Sequence, residues 1–289
     1  MKKTNAKRVL MAGLLATMTW LGSCEKDSEA SLSEVESREE MELVTLQQAD
    51  EAEWIAEEVV NMAEEVYAVE ELTATGKGIP LSGFIPECLT ITTIRTNGVV
   101  EKTLDFGQGC ETPNGNRLSG VVFLRYEADM EMATKTLILE LRGFTFNEIA
   151  VEGGAEILRQ RSNAAGNPQS EVVSEFNGTW PDGEVASWEG NRTREWVEGY
   201  GSGFWGDNVF LITGSQTLIR RNDVVLNRTT ISPLRRELSC RFLVSGLLQM
   251  SRNDLVVELD FGDGSCDAFG VLTYPDGSSE TITLRRFRP

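Results

Sequence analysis

The chain contains no histidine. That absence excludes Ser-His-Asp and Cys-His nucleophilic machinery, the His-Glu-x-x-His zinc site and any imidazole acting as general acid or base. There is no Gly-x-Ser-x-Gly elbow and no phosphate loop either. Paired carboxylates are the one common catalytic device left, as in glycoside hydrolysis, and with 28 acids beyond residue 72 the sequence singles out no pair. Lysine is scarce in that region, three against 18 Arg, and Arg on strands commonly pairs with carboxylates. No segment after residue 23 is long and apolar enough to span a membrane. Positive charge is the minority sign over the chain as a whole, 27 Lys and Arg against 45 Asp and Glu. A formal net charge of -18 disfavours nucleic acid and anionic lipid surfaces as partners, because both reward Lys and Arg patches.

What is present begins with a leader. Lys2, Lys3, Lys7 and Arg8 precede a short, mostly apolar run from Val9 to Trp20, and Leu21-Gly22-Ser23-Cys24 follows. Basic, apolar and small-residue segments in that order make a secretory signal. The ending resembles the lipobox of bacterial lipoproteins, in which the Cys thiol receives a diacylglycerol and the chain is cut just before it. The resemblance implies a signal peptide over 1–23, lipidation at Cys24 and a mature chain of 266 residues. Loss of the four leader cations takes the net charge to -22. Of five cysteines, Cys88, Cys110, Cys240 and Cys266 then remain in an exported protein, where disulfides persist.

Residues 24–32 form an acidic tether. Acids directly after the lipidated Cys resemble the export signal that sends lipoproteins of Bacteroidota to the cell surface, and a solvated linker has the same composition. Residues 33–72 have helical character, as one helix or as two with a break near Gln47 to Asp50. Ile55, Val59, Met62, Val66 and Val69 recur in steps of four and three and make one apolar stripe, while the other faces carry mostly Glu. Between residues 25 and 72 there are 17 acids and two basic residues. The stripe is suited to packing on the sheet of the same chain or on a partner helix. Residues 73–85, with Gly76 and Gly78, form a linker.

Over 86–289 the period changes to two. Thr90 to Ile94, Leu137 to Leu141, Val209 to Ile212 and Thr281 to Leu284 are β-rich runs. Asn97-Gly98, Asn114-Gly115, Pro181-Asp182-Gly183 and Pro275-Asp276-Gly277 supply turns. About a dozen antiparallel strands in meander hairpins follow, an all-β main domain preceded by an acidic amphipathic helix. Gly201-Ser202-Gly203-Phe204-Trp205-Gly206 fits a dinucleotide fingerprint letter by letter, but without a βαβ unit it is a loop between strands.

The β region carries an imperfect internal repeat. Cys88, an alternating run, a turn, Leu104-Asp105-Phe106-Gly107 and Cys110 are matched by Cys240, a similar run, a turn, Leu259-Asp260-Phe261-Gly262 and Cys266. If each pair of runs is a hairpin centred on its turn, position 88 lies nearly opposite 107 and 240 nearly opposite 265. The expected disulfides are therefore Cys88–Cys110 and Cys240–Cys266, each closing the open end of a hairpin. The blocks Leu259 to Asp267, Ser187 to Trp196 and Pro233 to Cys240, in their order along residues 86–287, resemble an uncharacterised family of Bacteroidota lipoproteins. The resemblance implies an outer-membrane lipoprotein with a β-rich body and supplies no catalytic roles.

Three constellations invite a ligand. Asp260, Asp263 and Asp267 crowd a Gly-rich turn where carboxylates could hold Ca2+, although the spacing matches no defined calcium loop and turn geometry accounts for the same residues. Trp180, Trp188, Trp196 and Trp205 lie eight or nine residues apart, so successive hairpin strands could present indoles side by side to a sugar ring or flat apolar ligand; core filling is the alternative. Arg192 and Arg194 alternate on one face between two of these Trp residues and could stack on them. The expected function is that of a lipid-anchored outer-membrane protein, at the cell surface or on the periplasmic face, binding or structural and not an enzyme. It would need no cofactor. Its partners would be the membrane through the lipid and another envelope protein or a glycan. A Trp-row glycan or small-ligand binder and a carboxylate-dependent glycosidase are the alternatives.

Overall fold

The computed structural model describes residues 27–74, 86–113, 115–221 and 224–284, with helix side chains from Thr45 onward and the Trp205 side chain left out. The expected signal peptide, Cys24 and most of the expected linker lie outside these residues. The chain divides into two units, 1–43 and 44–289, and the contacts below belong to the second.

One helix, α1, spans Asp27–Ala74. It contains no Gly and no Pro, and it ends just before Gly76. Of the two alternatives, one helix or two with a break near Gln47 to Asp50, the first holds: the helix runs unbroken there, because Gln and Ala are strong helix formers and one Asp does not stop a helix already propagating. It also starts inside the expected tether.

Fourteen strands follow: β1 (Thr90–Thr96), β2 (Val99–Asp105), β3 (Cys110–Glu111), β4 (Arg117–Glu127), β5 (Thr134–Phe146), β6 (Ile149–Gln160) and β7 (Gln169–Thr179), then β8 (Val185–Glu198), β9 (Val209–Arg220), β10 (Val224–Glu237), β11 (Leu243–Arg252), β12 (Leu255–Asp263), β13 (Phe269–Thr273) and β14 (Ser279–Thr283). They form one antiparallel sheet in chain order, with β3 paired to β4 outside the main path and β1 and β14 at the two ends. Asn97 and Gly98 both take positive φ, 51° and 79°, as a two-residue type I′ turn demands. The β5–β6 turn places Asn147 and Glu148 in the same region without a glycine. The Asn147 side chain holds that turn by accepting from the Arg117 N–H and donating to Asn116.

Several glycines sit inside strands, where they bend the sheet. At Gly153 (φ 116°) and Gly214 (φ 142°) a Cβ would run into a carbonyl oxygen of the neighbouring strand. Only glycine permits that approach, and such kinks let a sheet curl.

Most central strands alternate, buried residues on one face and exposed on the other, as throughout β7 and in β5 up to Leu141. The buried face curls around α1. Ala49, Ile55, Val59 and Ala63 of the helix are inaccessible to solvent, and so are Val100, Leu124, Leu137, Ile157, Phe176 and Leu218 of the sheet. Trp54 packs edge-on against Phe146, and Tyr67 against Tyr126. The apolar stripe therefore packs within the chain.

Candidate functional site

The feature that composition alone leaves hidden is the other side of the helix. Glu53, Glu57, Glu58, Glu64 and Glu71 are buried as deeply as the apolar stripe. Glu57, Glu64 and Glu71 recur every seven residues, two helical turns, and therefore lie in one row with Glu53. Facing them is a set of inward-pointing guanidinium groups. Arg192 of β8 meets Glu53 at 2.7 Å, and Arg194, two residues further on the same face, meets Glu57 at 3.1 Å. Two residues along a strand cover about 6.7 Å and four along a helix about 6 Å, so the rows stay in step. Arg194 also bonds Asn61 and Glu64. From β10, Arg236 reaches Glu58 at 3.0 Å, and Arg228 reaches the Ala49 carbonyl at 2.7 Å and Glu53 at 3.7 Å.

The row is closed at its C-terminal end by two further clusters. Glu71 takes Arg159 of β6 at 3.2 Å, Arg161 at 3.4 Å and the Tyr200 hydroxyl at 2.8 Å. Glu70 takes Lys102 of β2 at 2.6 Å, Arg95 of β1 at 2.9 Å and the Tyr126 hydroxyl at 2.8 Å. Near the other end, the Trp180 indole N–H donates to Glu51 at 2.9 Å.

Electrostatics follow from this geometry. Burial opposes ionisation of Glu57, but Arg194, Arg192 and Arg236 outweigh it and hold the carboxyl below the usual range. Burial likewise opposes ionisation of Glu70, and Lys102, Tyr126 and Arg95 pull it down. Burial first, and then the nearby carboxylates, push the Tyr67, Tyr126 and Tyr200 phenols up, so these stay neutral donors. Glu57 and Glu70, held below the ordinary carboxylate range, act as charged acceptors, the opposite of a carboxyl raised to donate a proton.

The Trp row does not form a platform. Trp180, Trp188 and Trp196 are at most 5% exposed. Trp188 and Trp196 are on the same strand, β8, eight residues apart, rather than side by side on neighbouring strands. Trp188 packs between Phe176 and Trp180, and Trp196 between Tyr200 and Phe210. A spacing that skips an even number of residues on one strand keeps the same face, and here that face is the core. Trp205 begins a short 3-10 turn, Trp205–Asp207, in the β8–β9 loop, where its side chain lies outside the description. Arg192 and Arg194 point at α1; the cation-π partner of Arg194 is Phe210, 4.5 Å away, and Arg159 lies over Trp196.

The three Asp residues act as turn acceptors. Asp260 receives the Gly262 N–H, Asp263 the Ser265 N–H and hydroxyl, and Asp267 the Phe269 N–H. Among the described residues no group of three or more His, Cys, Asp or Glu is arranged to hold a metal. Asp105 receives the Gly107 N–H as Asp260 does that of Gly262, so the internal repeat is real at this turn.

Both disulfides form as expected, Cys88–Cys110 and Cys240–Cys266, with Cα separations of 5.6 and 5.7 Å. The second hairpin turns at Asn253-Asp254 with a register shift between Ser245 and Leu247, so Cys240 faces a point a few residues beyond 265.

Besides a small crevice beside Glu53, Arg192 and Arg228, two larger hollows are formed by described residues. One, of about 390 Å³, is lined by Val99, Met132, Ile138 and Leu158 with Glu127 as its sole acid. The other, of about 550 Å³, is lined by Pro113, Leu238, Arg241 and Phe242 beside the Cys240–Cys266 bridge and has no acid. No pair of carboxylates opens into either.

No family model, no curated protein and no solved structure matches the chain.

Proposed function

We propose that the chain is a lipid-anchored outer-membrane lipoprotein, a non-catalytic binding or structural protein of the bacterial envelope related to the Bacteroidota lipoproteins it resembles. The observation that carries this reading is α1. From Thr45 onward α1 is held inside the sheet by apolar contacts and by cations from β1, β2, β6, β8 and β10. A helix whose charges are spent on packing serves the structure of the body rather than a reaction. The same pinning ties Glu53, Glu57, Glu58, Glu64, Glu70 and Glu71 to fixed cations, and Glu127 stands alone as an acid in the larger hollows described. Outward-facing Glu140, Glu156, Glu171, Glu175 and Glu189 in mid-sheet put charge where a lipid-facing barrel has an apolar band. Among the described residues no helix is long and apolar enough to cross a membrane. Attachment through Cys24, with the body in water, accounts for both.

Labelled palmitate should enter the protein in cells and should fail to enter Cys24→Ala; equal labelling of the two would sink the lipoprotein reading. Protease accessibility on intact cells, compared with lysed cells, then separates a surface protein from a periplasmic one. Burial of three of the four Trp residues removes the ground for the glycan platform, so no second reading is favoured.

A further inference from the structure

Strand β1 ends the described sheet. Among the described residues no strand pairs with its outer edge. Six of its seven residues are exposed, and the seventh, Ile91, is half-buried against the core. Ile94 is 54% exposed. The strand is paired to β2 along its whole length without a register shift. Natural edge strands are protected by Pro, Lys, a bulge or brevity, because unpaired N–H and C=O groups in a row invite another strand. Thr90-Ile91-Thr92-Thr93-Ile94-Arg95-Thr96 has none of these devices. Its one charge, Arg95, is already neutralised by Glu70. Strand β14, at the other end, is shorter, five residues, and carries Glu280.

We propose that β1 is a docking edge for a second copy of this chain, the two β1 strands pairing antiparallel across a twofold axis at Thr93. The strand is complementary to itself in that arrangement. Thr92 faces Ile94 of the second copy, Ile91 faces Arg95, Thr90 faces Thr96, and no like charges oppose each other. In a molecule of net charge -18, a neutral, hydrogen-bonding edge is where two copies approach without repulsion. The main path has 13 strands of alternating direction, so β1 and β14 run the same way and an intramolecular β1–β14 closure would be parallel. A β1-to-β14 contact between copies is heterologous and would propagate into filaments, whereas β1 to β1 closes as a dimer. The contact is small, which makes the dimer weak in solution and favoured where lipid anchors confine the copies to a surface.

Sedimentation of Cys24→Ala protein over a wide concentration range should show a reversible monomer–dimer equilibrium. Introducing Thr92→Lys with Ile94→Lys, or Thr92→Glu with Ile94→Glu, should leave each protein folded by circular dichroism and monomeric, since like charges then face each other across the axis. Mixing the two variants should restore the dimer. A wild-type protein that stays monomeric at every concentration overturns the proposal. So does growth into filaments, a dimer that persists in both double variants, or a mixture of folded variants that remains monomeric. If a double variant loses its fold, a spin label at Thr92→Cys reports the same axis by a label-to-label distance that dilution with unlabelled protein abolishes; no such distance overturns the proposal.

Discussion

The carboxylates of α1 and those on the outer face of the sheet are the same chemical group held under opposite conditions. Inside, Glu57 and Glu64 share Arg194 at a few per cent exposure, and each acid sits against a fixed cation. Outside, Glu175 of β7 lies directly across from Glu189 of β8 with both exposed to water. Water and salt absorb that repulsion at the surface, while the interior has only Arg to do so. The difference shows that acidity in this chain is two properties: a solvated surface, and an ionic seam that fixes which way the helix faces.

The largest test is removal of a seam cation. Arg194→Ala strands two buried carboxylates and should lower the unfolding free energy by about 3–5 kcal/mol in urea titration. Ile55→Ala, on the apolar side of the same helix, should cost about 2–5 kcal/mol through its cavity. The two sides differ in what repairs them. Replacing the triad as Arg194→Met with Glu57→Leu and Glu64→Leu should recover most of the loss, because paired apolar groups carry no desolvation cost. If the triple variant is as unstable as Arg194→Ala, the seam contributes net stability beyond charge compensation.

The staples come next. Cys240→Ser with Cys266→Ser, or the Cys88–Cys110 equivalent, should each cost about 3 kcal/mol in the chain-entropy treatment. Non-reducing peptide mapping should recover the two within-repeat links and no link between repeats.

A smaller effect distinguishes inner from outer acids by pH. The folded pKa values of Glu57 and Glu70 lie below the ordinary carboxylate value. Unfolded chains then bind protons first as pH falls, so the stability these groups contribute is present above the unfolded carboxylate pKa, about 4.3, and is lost as pH falls through the lower folded values. The urea midpoint should drop below about pH 4.5, and Glu70→Gln should shallow that drop. A midpoint independent of pH between neutrality and acid would show that the seam does not titrate with folding.

The smallest effect is on the outer face. Glu175→Lys should stabilise by about 0.2–1 kcal/mol by turning a like-charge cross-strand pair into an opposite one, and added salt should erase the gain. Equal sensitivity of inner and outer acids to salt would remove the distinction between them.

Much of the fold is legible from local pattern. Period-two runs, Asn97-Gly98 and the Cys-bearing repeat mark the meander and its staples, because strand alternation and turn chemistry are short-range properties. The helix is legible too, and so is the chance that its stripe packs on the sheet. What stayed hidden was the fate of its Glu faces. The seven-residue recurrence of Glu57, Glu64 and Glu71 and the Arg192/Arg194 alternation were both present in the chain, but acids on a helix are ordinarily solvated, and a row on one element names no partner on another.

The amino-acid sequence by itself determined the strands, the turns, the disulfide pairs and the surplus of Arg over Lys in the β region. Each follows from residue type and near-neighbour spacing. Tertiary structure alone decided that the sheet curls around α1, and with it the burial of Trp188 and Trp196, the pairing of each Glu with its Arg and the exposure of β1. Those outcomes depend on which face a curved sheet turns inward, and that is set by mid-strand glycines such as Gly153 and Gly214 acting together with a helix nearly 140 residues away from the Arg side chains that hold it. Contacts at that separation leave no local trace in either partner.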